Sequence, residues 1–510
     1  MDLKPADAEL IIGIVARIGV DTPEVISTLK EELQAYDYEA VEIHTTDLLI
    51  GLKKPLNIIQ EPADKRYESL ISACNDFRAD TELPDIMAQL AMLEITRLRG
   101  QTGLGTSTER RVAYIINQIK RPEEFELLRS VYGEHYVQMS CHATLKSREE
   151  RLSRKIVAGH PESPRASSWD AVVSELIQKD EAQEDQPFGQ RVRDVFPLSD
   201  VVIDARDRAR IKTTTERFLR ALFGDNSVTP TPAEYGMELA NTASQRSSDL
   251  SRQVGAAVLN QHNEVQALGC NEVPRAGGGT YWEGDVPDGR EFNRGEDANE
   301  ARKRAVLMDL ALRLEKAGAF KKNLKTAAEI SDFLFKRKDK IIKDAQIMDS
   351  LEYGRSVHAE MNAITDAARS GRAIRGCRLF VNTFPCHNCA KHIVASGICD
   401  VFYLRPYPKS YAAELFDDSI VIDPDQSSTT QVNFRQFIGV TGPMYSRVFT
   451  KSRWKREGGL VPTFVKKGGS FIRRTPVPAY PGVEALLLAD LSSVLTAKGY
   501  LDAAPSPPVS

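Results

Sequence analysis

Two short motifs constrain this chain more than any other feature. S-V-H-A-E-M-N-A-I runs from Ser356 to Ile364, and F-P-C-H-N-C runs from Phe384 to Cys389, which places Cys386 28 positions after His358. One imidazole and two thiols make a donor set suited to zinc, which takes four tetrahedral nitrogen and sulfur ligands and, in catalytic sites, keeps one position open. Thiols at i and i+3 on the first turn of a helix can face one ion, and the positive end of the helix favours their ionised form. Pro385 suits the position just ahead of such a turn. His358, Cys386 and Cys389 are therefore the expected metal ligands, and zinc the expected cofactor.

Glu360 lies two positions beyond His358 on the same helix start, which brings its carboxylate beside the open position without making it a ligand. A carboxylate there can take a proton from an attacking water and pass it on to the reacting group. A structural zinc site would instead need a fourth protein ligand. The neighbouring choices are poor: His387 falls between the thiols and is expected to point away, His392 to lie on a helix surface, and Cys377 and Cys399 to be core residues.

The rest of the sequence must supply cores that hold these motifs. With 510 residues and 42% hydrophobic content it can bury them, and its length favours two or three domains. A formal charge of −4 confers no general affinity for polyanions. Seven cysteines, an odd number scattered along the chain, do not resemble a disulfide framework. Met1 to Leu10 lacks a basic start and an apolar run, and no stretch approaches about 18 uninterrupted apolar residues. A cytoplasmic protein without a membrane partner is expected.

Elements alternate along the first 210 residues: a strand in Glu9–Val20, a helix capped by Thr22 with Pro23 in its first turn, a strand at Tyr38–Ile43, a helix at Pro84–Arg97, a strand at Arg111–Gln118, a helix at Pro122–Tyr132, and strands at His135–His142 and Ser199–Ile203. This predicts a doubly wound α/β domain over 1–215. A Pro-containing stretch, Ser227–Ala233, marks a linker over 216–233. A second domain over 234–450 holds a helix at Glu234–Ser248, a strand pair at Gly255–Leu259 and Val265–Ala267, a helical insertion at about 283–352, and a strand at Val401–Leu404. Basic clusters at Lys451–Arg456 and Lys466–Arg474 define an extension over 451–510, ending in a disordered tail.

H-x-E followed by P-C-x-x-C is the signature of zinc deaminases acting on base amines. With S-R-Q-V-G-A-A-V (Ser251–Val258) and G-C-N-E-V-P (Gly269–Pro274), the sequence resembles the deoxycytidylate branch of the cytidine deaminase superfamily over most of Glu234–Pro406, the insertion apart. The resemblance implies a three-layer α/β/α sandwich, zinc, homo-oligomers, and hydrolysis of dCMP or dCTP to the deoxyuridine nucleotide. It also implies that Asn271 and Ala359 contact substrate, although Asn271 taken alone could equally be a turn residue.

The N-terminal half resembles a P-loop nucleotide kinase. Through Y-I-I-N-Q-I-K-R-P (Tyr114–Pro122), D-Q-P-F-G-Q-R-V (Asp185–Val192) and F-P-L-S-D-V-V-I-D (Phe196–Asp204), the whole chain is similar to bacterial anti-phage deoxycytidylate deaminases, whose role is to deplete deoxycytidine nucleotides. The phosphate loop is degenerate, because Ile14 and Val20 stand where its first glycine and its lysine belong. Gly13 and Gly19 are what is left to cradle an allosteric nucleotide, and otherwise permit a tight strand-to-helix turn. Nucleotide sensing or scaffolding is thus expected rather than phosphoryl transfer, with regulatory RNA as a further partner implied by the resemblance. The competing readings are a housekeeping dCMP deaminase in thymidylate supply, a nucleic-acid deaminase suggested by the basic clusters, and an inert nucleotide sensor.

Overall fold

The structure, a computed structural model, describes residues 7–101, 108–162, 169–183, 186–319, 326–335, 342, 345–451, 463–469, 471–472 and 480–502. It divides into two units, Met1–Glu234 with Phe437–Ser510, and Tyr235–Gln436. Among the described residues no helix is long and apolar enough to cross a membrane.

The first unit is built on five parallel strands, β1 (Leu10–Ala16), β2 (Glu39–His44), β3 (Val112–Asn117), β4 (Tyr136–His142) and β5 (Val201–Asp204), in the order β2-β3-β1-β4-β5. β1 is buried along its whole length, as a central parallel strand with both faces covered must be. The following helix, Thr22–Gln34, is capped by Asp21, which accepts from Glu24 N at 3.4 Å. The cap lies one residue earlier than expected because Thr22 is already helical. Helix Pro122–Tyr132 begins at its proline, with Glu124 accepting from Lys120 N at 2.7 Å and Arg121 N at 3.1 Å. The sequence reading passed over the helices Ala63–Thr81, Leu145–Ala158 and Asp170–Glu181, whose polar positions outnumber their apolar ones.

Two expected boundaries are corrected. The supposed linker 216–233 contains the end of helix Arg208–Leu222 and a buried Val228, and Glu234, fully buried, pairs with Arg217 at 2.7 Å. The second domain does not run to 450. From Phe437 the chain belongs to the first unit, where Gly439–Val440 adds an antiparallel strand beside β5, and Val440, Met444, Val448 and Phe471 join the core. Nor is the C-terminal segment merely a basic extension. Helix Tyr480–Ala497 packs Leu491 and Leu495, with Tyr500, against Phe77 and Met87. It also carries Glu484, bound at 2.6 Å to Arg99, which in turn meets Glu9 at 2.8 Å. Residues 452–462, 473–479 and the expected tail 503–510 lie outside the described residues.

The second unit has the strands β6 (Gly255–Leu259), β7 (Val265–Cys270), β8 (Arg378–Thr383), β9 (Asp400–Arg405), β10 (Ile420–Ile422) and β11 (Val432–Gln436), in the order β10-β11-β9-β8-β6-β7. β6 is antiparallel to β7 and β8, and the other pairings are parallel. Helices lie on both faces. Ala359–Arg369 packs through Ala359 and Ala363 on the side of Ala256 and Leu379. Helix Pro232–Ser244 covers the other side, where a Cβ on Gly255 would come within 2.0 Å of the Ala240 carbonyl and one on Gly236 within 2.4 Å of the Phe380 ring. The helical insertion is present as Ala298–Lys316 and Ala327–Phe335, and its residues 320–325, 336–341 and 343–344 lie outside the described residues.

Arg99 lies between two buried carboxylates, so removing its charge leaves Glu9 and Glu484 facing each other without full compensation. Arg99→Met is expected to cost about 3–5 kcal/mol of stability, read from denaturant unfolding of the full chain.

Candidate active site

The site is assembled where two helices begin. His358 is the residue just before helix Ala359–Arg369, and Cys386 the residue just before helix His387–Ala395, with Cys389 on that helix's first turn. Both positive helix ends are thereby turned toward one point. The first helix sits low on the sheet because β7 has a glycine beneath it: a Cβ on Gly269 would fall 2.2 Å from the Ala359 carbonyl and 2.6 Å from Ala363 N. Asn362 donates to the Cys270 carbonyl at 2.8 Å, and Val357 exchanges backbone hydrogen bonds with Glu272 at 3.0 and 3.3 Å. These contacts fix the helix in direction and height. On the second helix's approach, Ser410 Oγ donates to the Pro385 carbonyl at 2.7 Å and Phe384 N to the Arg405 carbonyl at 2.7 Å.

The ligand atoms of His358, Cys386 and Cys389 all lie within 4.8 Å of one another. His358 Nδ1 is 3.3 Å from Cys386 Sγ and 3.4 Å from Cys389 Sγ. A tetrahedral zinc with ordinary Zn–N and Zn–S lengths needs an N···S separation of about 3.5 Å, so the donor set fits the ion. From the protein's own groups alone, Cys386 is held low, at about 4, by the hydrogen bond from Cys389 and by His358. Cys389 is pushed up by the thiolate beside it and by burial. His358 is raised to about 9, chiefly by its hydrogen bond with Cys386. The pair thus releases its first proton readily, at Cys386.

Glu360 is 4% exposed. Burial, and then the nearby Cys386 charge, push its carboxyl up to about 7. It lines a cavity of about 330 Å³ together with His358, Ala359, Cys386 and Asn271. Within the described residues no other His, Cys, Asp or Glu completes a fourth ligand position. His392 is exposed and Cys377 buried, as expected, whereas Cys399 is exposed rather than core, because it precedes β9 at the strand's open end.

Asn271 lines the cavity, but its side chain is engaged with the backbone opposite: Oδ1 accepts from Val254 N at 2.7 Å and Nδ2 donates to the Arg252 carbonyl at 2.8 Å. It therefore shapes the segment that enters β6. Of the two phosphate-loop glycines, Gly19 is at the expected turn, with φ +90°. Gly13 is not, since it lies inside β1, where a Cβ would meet the Tyr136 hydroxyl at 2.2 Å.

Other lining residues escaped the sequence reading. The insertion contributes Asp297, Asn299 and Met348 to the cavity wall, and Arg355, just beyond it, contributes too. Arg252 also lines it, with its guanidinium 5.5 Å from the Tyr407 ring. Arg405 is held below the usual arginine range by burial and by Arg252. Among the described residues neither arginine has an ion-pair partner. Arg252 stands inside the S-R-Q-V motif and could have been singled out; Arg405 carries no such mark, because only strand pairing brings it to Thr383.

Residues 230–405 match the family model of the cytidine and deoxycytidylate deaminase zinc-binding region. Zinc is accordingly the cofactor of this triad. Curated relatives include ComE operon protein 2 of Bacillus subtilis (strain 168), 39% identical over 66 residues, covering 13% of this chain and 35% of that protein. The deoxycytidylate deaminase of Enterobacteria phage T2 is 46% identical over 54 residues, covering 11% and 29%. That of Mus musculus is 25% identical over 171 residues, covering 34% and 63%. The chain thus spans about a third of the length of the bacterial and phage relatives and less than two thirds of the mouse one.

Cys389→Ser should lower bound zinc from about one per chain to a small fraction. Gly269→Ala should do the same without touching a ligand, by lifting His358 away from the thiols. Both are read by elemental analysis of the purified protein.

Proposed function

We propose that the second unit is a zinc-dependent hydrolase that removes the exocyclic amine of a deoxycytidine nucleotide, dCMP or dCTP, yielding the deoxyuridine nucleotide and ammonia. The observation that carries this reading is Glu360, buried beside a three-donor metal site and lining a cavity that His358 and Cys386 also line. A structural zinc would call for a fourth ligand and no proton carrier. Bound zinc supplies a water activated at neutral pH. Glu360 is placed to take one proton from the attacking water and deliver it to the ring nitrogen beside the reacting carbon, then to take the second from the hydroxyl now on that carbon and pass it to the departing amine as the C–N bond breaks.

The similarity to deoxycytidylate deaminases supports a deoxycytidine substrate. Arg252 supports a phosphorylated one, because it lines the cavity without an ion-pair partner among the described residues and the charge of Arg405 adds to its own. A polymeric nucleic acid finds less support. Lys451 donates to the carbonyls of Asn226 and Val228, and Lys466 pairs with Glu216 at 3.0 Å, so these basic residues serve the first unit's own structure. In the cell this reading corresponds to a cytoplasmic homo-oligomer that depletes deoxycytidine nucleotides during phage infection. The first unit, P-loop kinase-like and lacking the loop lysine, acts as scaffold and regulator.

Incubation of the full chain with dCMP, dCTP and single-stranded DNA, followed by ammonia release, tests the reading. Turnover of a free nucleotide is expected, and deamination confined to the polymer would sink it. Glu360→Gln should lower kcat by about 10²–10⁴-fold while zinc content is unchanged. Arg252→Gln should act mainly on KM.

A further inference from the structure

The winding of the first unit reverses at β1: the chain passes to one side through β2 and β3 and to the other through β4 and β5. The crevice at the carboxyl ends of the strands beside such a reversal is where α/β sheets take ligands. A cavity of about 250 Å³ lies there, lined by the turn Arg17–Val20 and by residues following β2 and β3. Its charged lining is Arg17, Arg66, Arg78, Lys120 and Lys155, with Asp180 the single acid among the described residues. Asn117 and Gln190 also line it, each 5% exposed, and each keeps a side-chain oxygen without a hydrogen-bond partner among the described residues.

A backbone N–H at a strand-to-helix turn is a natural seat for an anion. Here the seat is filled from within. Ile18 N donates to Asp180 Oδ2 at 2.7 Å, and Lys120 Nζ donates to Asp180 Oδ1 at 2.8 Å and to the Ala16 carbonyl at 3.0 Å. Lys120, arriving from beyond β3, thus places beside the turn the cation that Val20 does not supply. The next residue, Glu181, meets Arg148 at 2.8 Å and lies 3.9 Å from Arg17. The Arg148 backbone closes over the turn so tightly that a Cβ on Gly19 would come within 2.6 Å of its carbonyl. Asp180 itself is 2% exposed. A buried carboxylate held by a turn N–H and a lysine has the charge and the donors of a bound phosphate.

We propose that the first unit contains a phosphoryl-anion site closed by its own Asp180, whose carboxylate occupies the seat that a phosphate of a nucleoside polyphosphate would take. The tethered carboxylate competes at high effective concentration with any free anion, so the site is silent to polyphosphate while helix Asp170–Glu181 is in place.

Calorimetric titration of the full chain with inorganic tripolyphosphate at low salt tests this apart from deamination. The wild type should show no saturable binding up to about 1 mM. Asp180→Ala should bind at least about tenfold more tightly than that limit, and adding Lys120→Gln to it should erase the gain. Circular dichroism and thermal melting establish that each variant is folded, and Asp180→Asn decides the matter if the alanine variant is not. A wild type that binds tripolyphosphate saturably below about 1 mM, a folded Asp180 variant that gains nothing, or a gain that survives Lys120→Gln would each overturn the proposal.

Discussion

The metal site depends on one backbone contact, the seating of helix Ala359–Arg369 on Gly269 of β7. A side chain there would stand 2.2 Å from the Ala359 carbonyl and force the helix outward. Because His358 and Glu360 flank Ala359, their height above the sheet is the height of that contact. The second helix brings Cys386 and Cys389 to the same point from the end of β8, and the adjoining strands β6, β7 and β8 hold the two helices in common register. The resulting N···S distances near those of a tetrahedral ion therefore follow from sheet pairing and one missing Cβ, as much as from the ligands themselves.

The same packing accounts for the hydrogen bonds of two further motif residues. Asn362, inside H-A-E-M-N-A, holds the helix to the Cys270 carbonyl, and Asn271, inside G-C-N-E-V-P, ties the approach of β6 to the exit of β7. Their amides satisfy backbone groups that would otherwise be buried without partners, at about 1–3 kcal/mol each. A spelled motif thus mixes reacting groups with groups that keep the reacting ones in place. Glu360, buried and raised toward neutrality, holds the position proposed for the proton carrier.

The first unit presents the opposite case, in which distant segments matter more than motifs. Glu9, Arg99 and Glu484 come from three widely separated parts of the chain and form one buried ionic chain, and the sheet is completed by Gly439–Val440. Neither the periodicity of Tyr480–Ala497, an apolar stretch with little amphipathic contrast, nor the basic clusters before it pointed to a helix that caps the first unit. The Asp180 contact was equally invisible, since nothing near Lys179–Gln190 suggests an acid that reaches the turn after β1.

The sequence by itself marked the three donors that the structure brings together, the carboxylate buried beside them, most strands and the helical insertion. Each depends on short-range order: donor spacing on a helical turn, or runs of apolar residues long enough to be buried. Only the tertiary structure decided that the chain returns to its first unit at Phe437, that the insertion supplies a wall of the cavity, that Arg405 comes near the cavity-lining Arg252, and that the turn after β1 is filled by a carboxylate. These outcomes depend on which surfaces meet across hundreds of residues, and burial energy, which selects those meetings, is a property of the packed whole that no local spacing encodes.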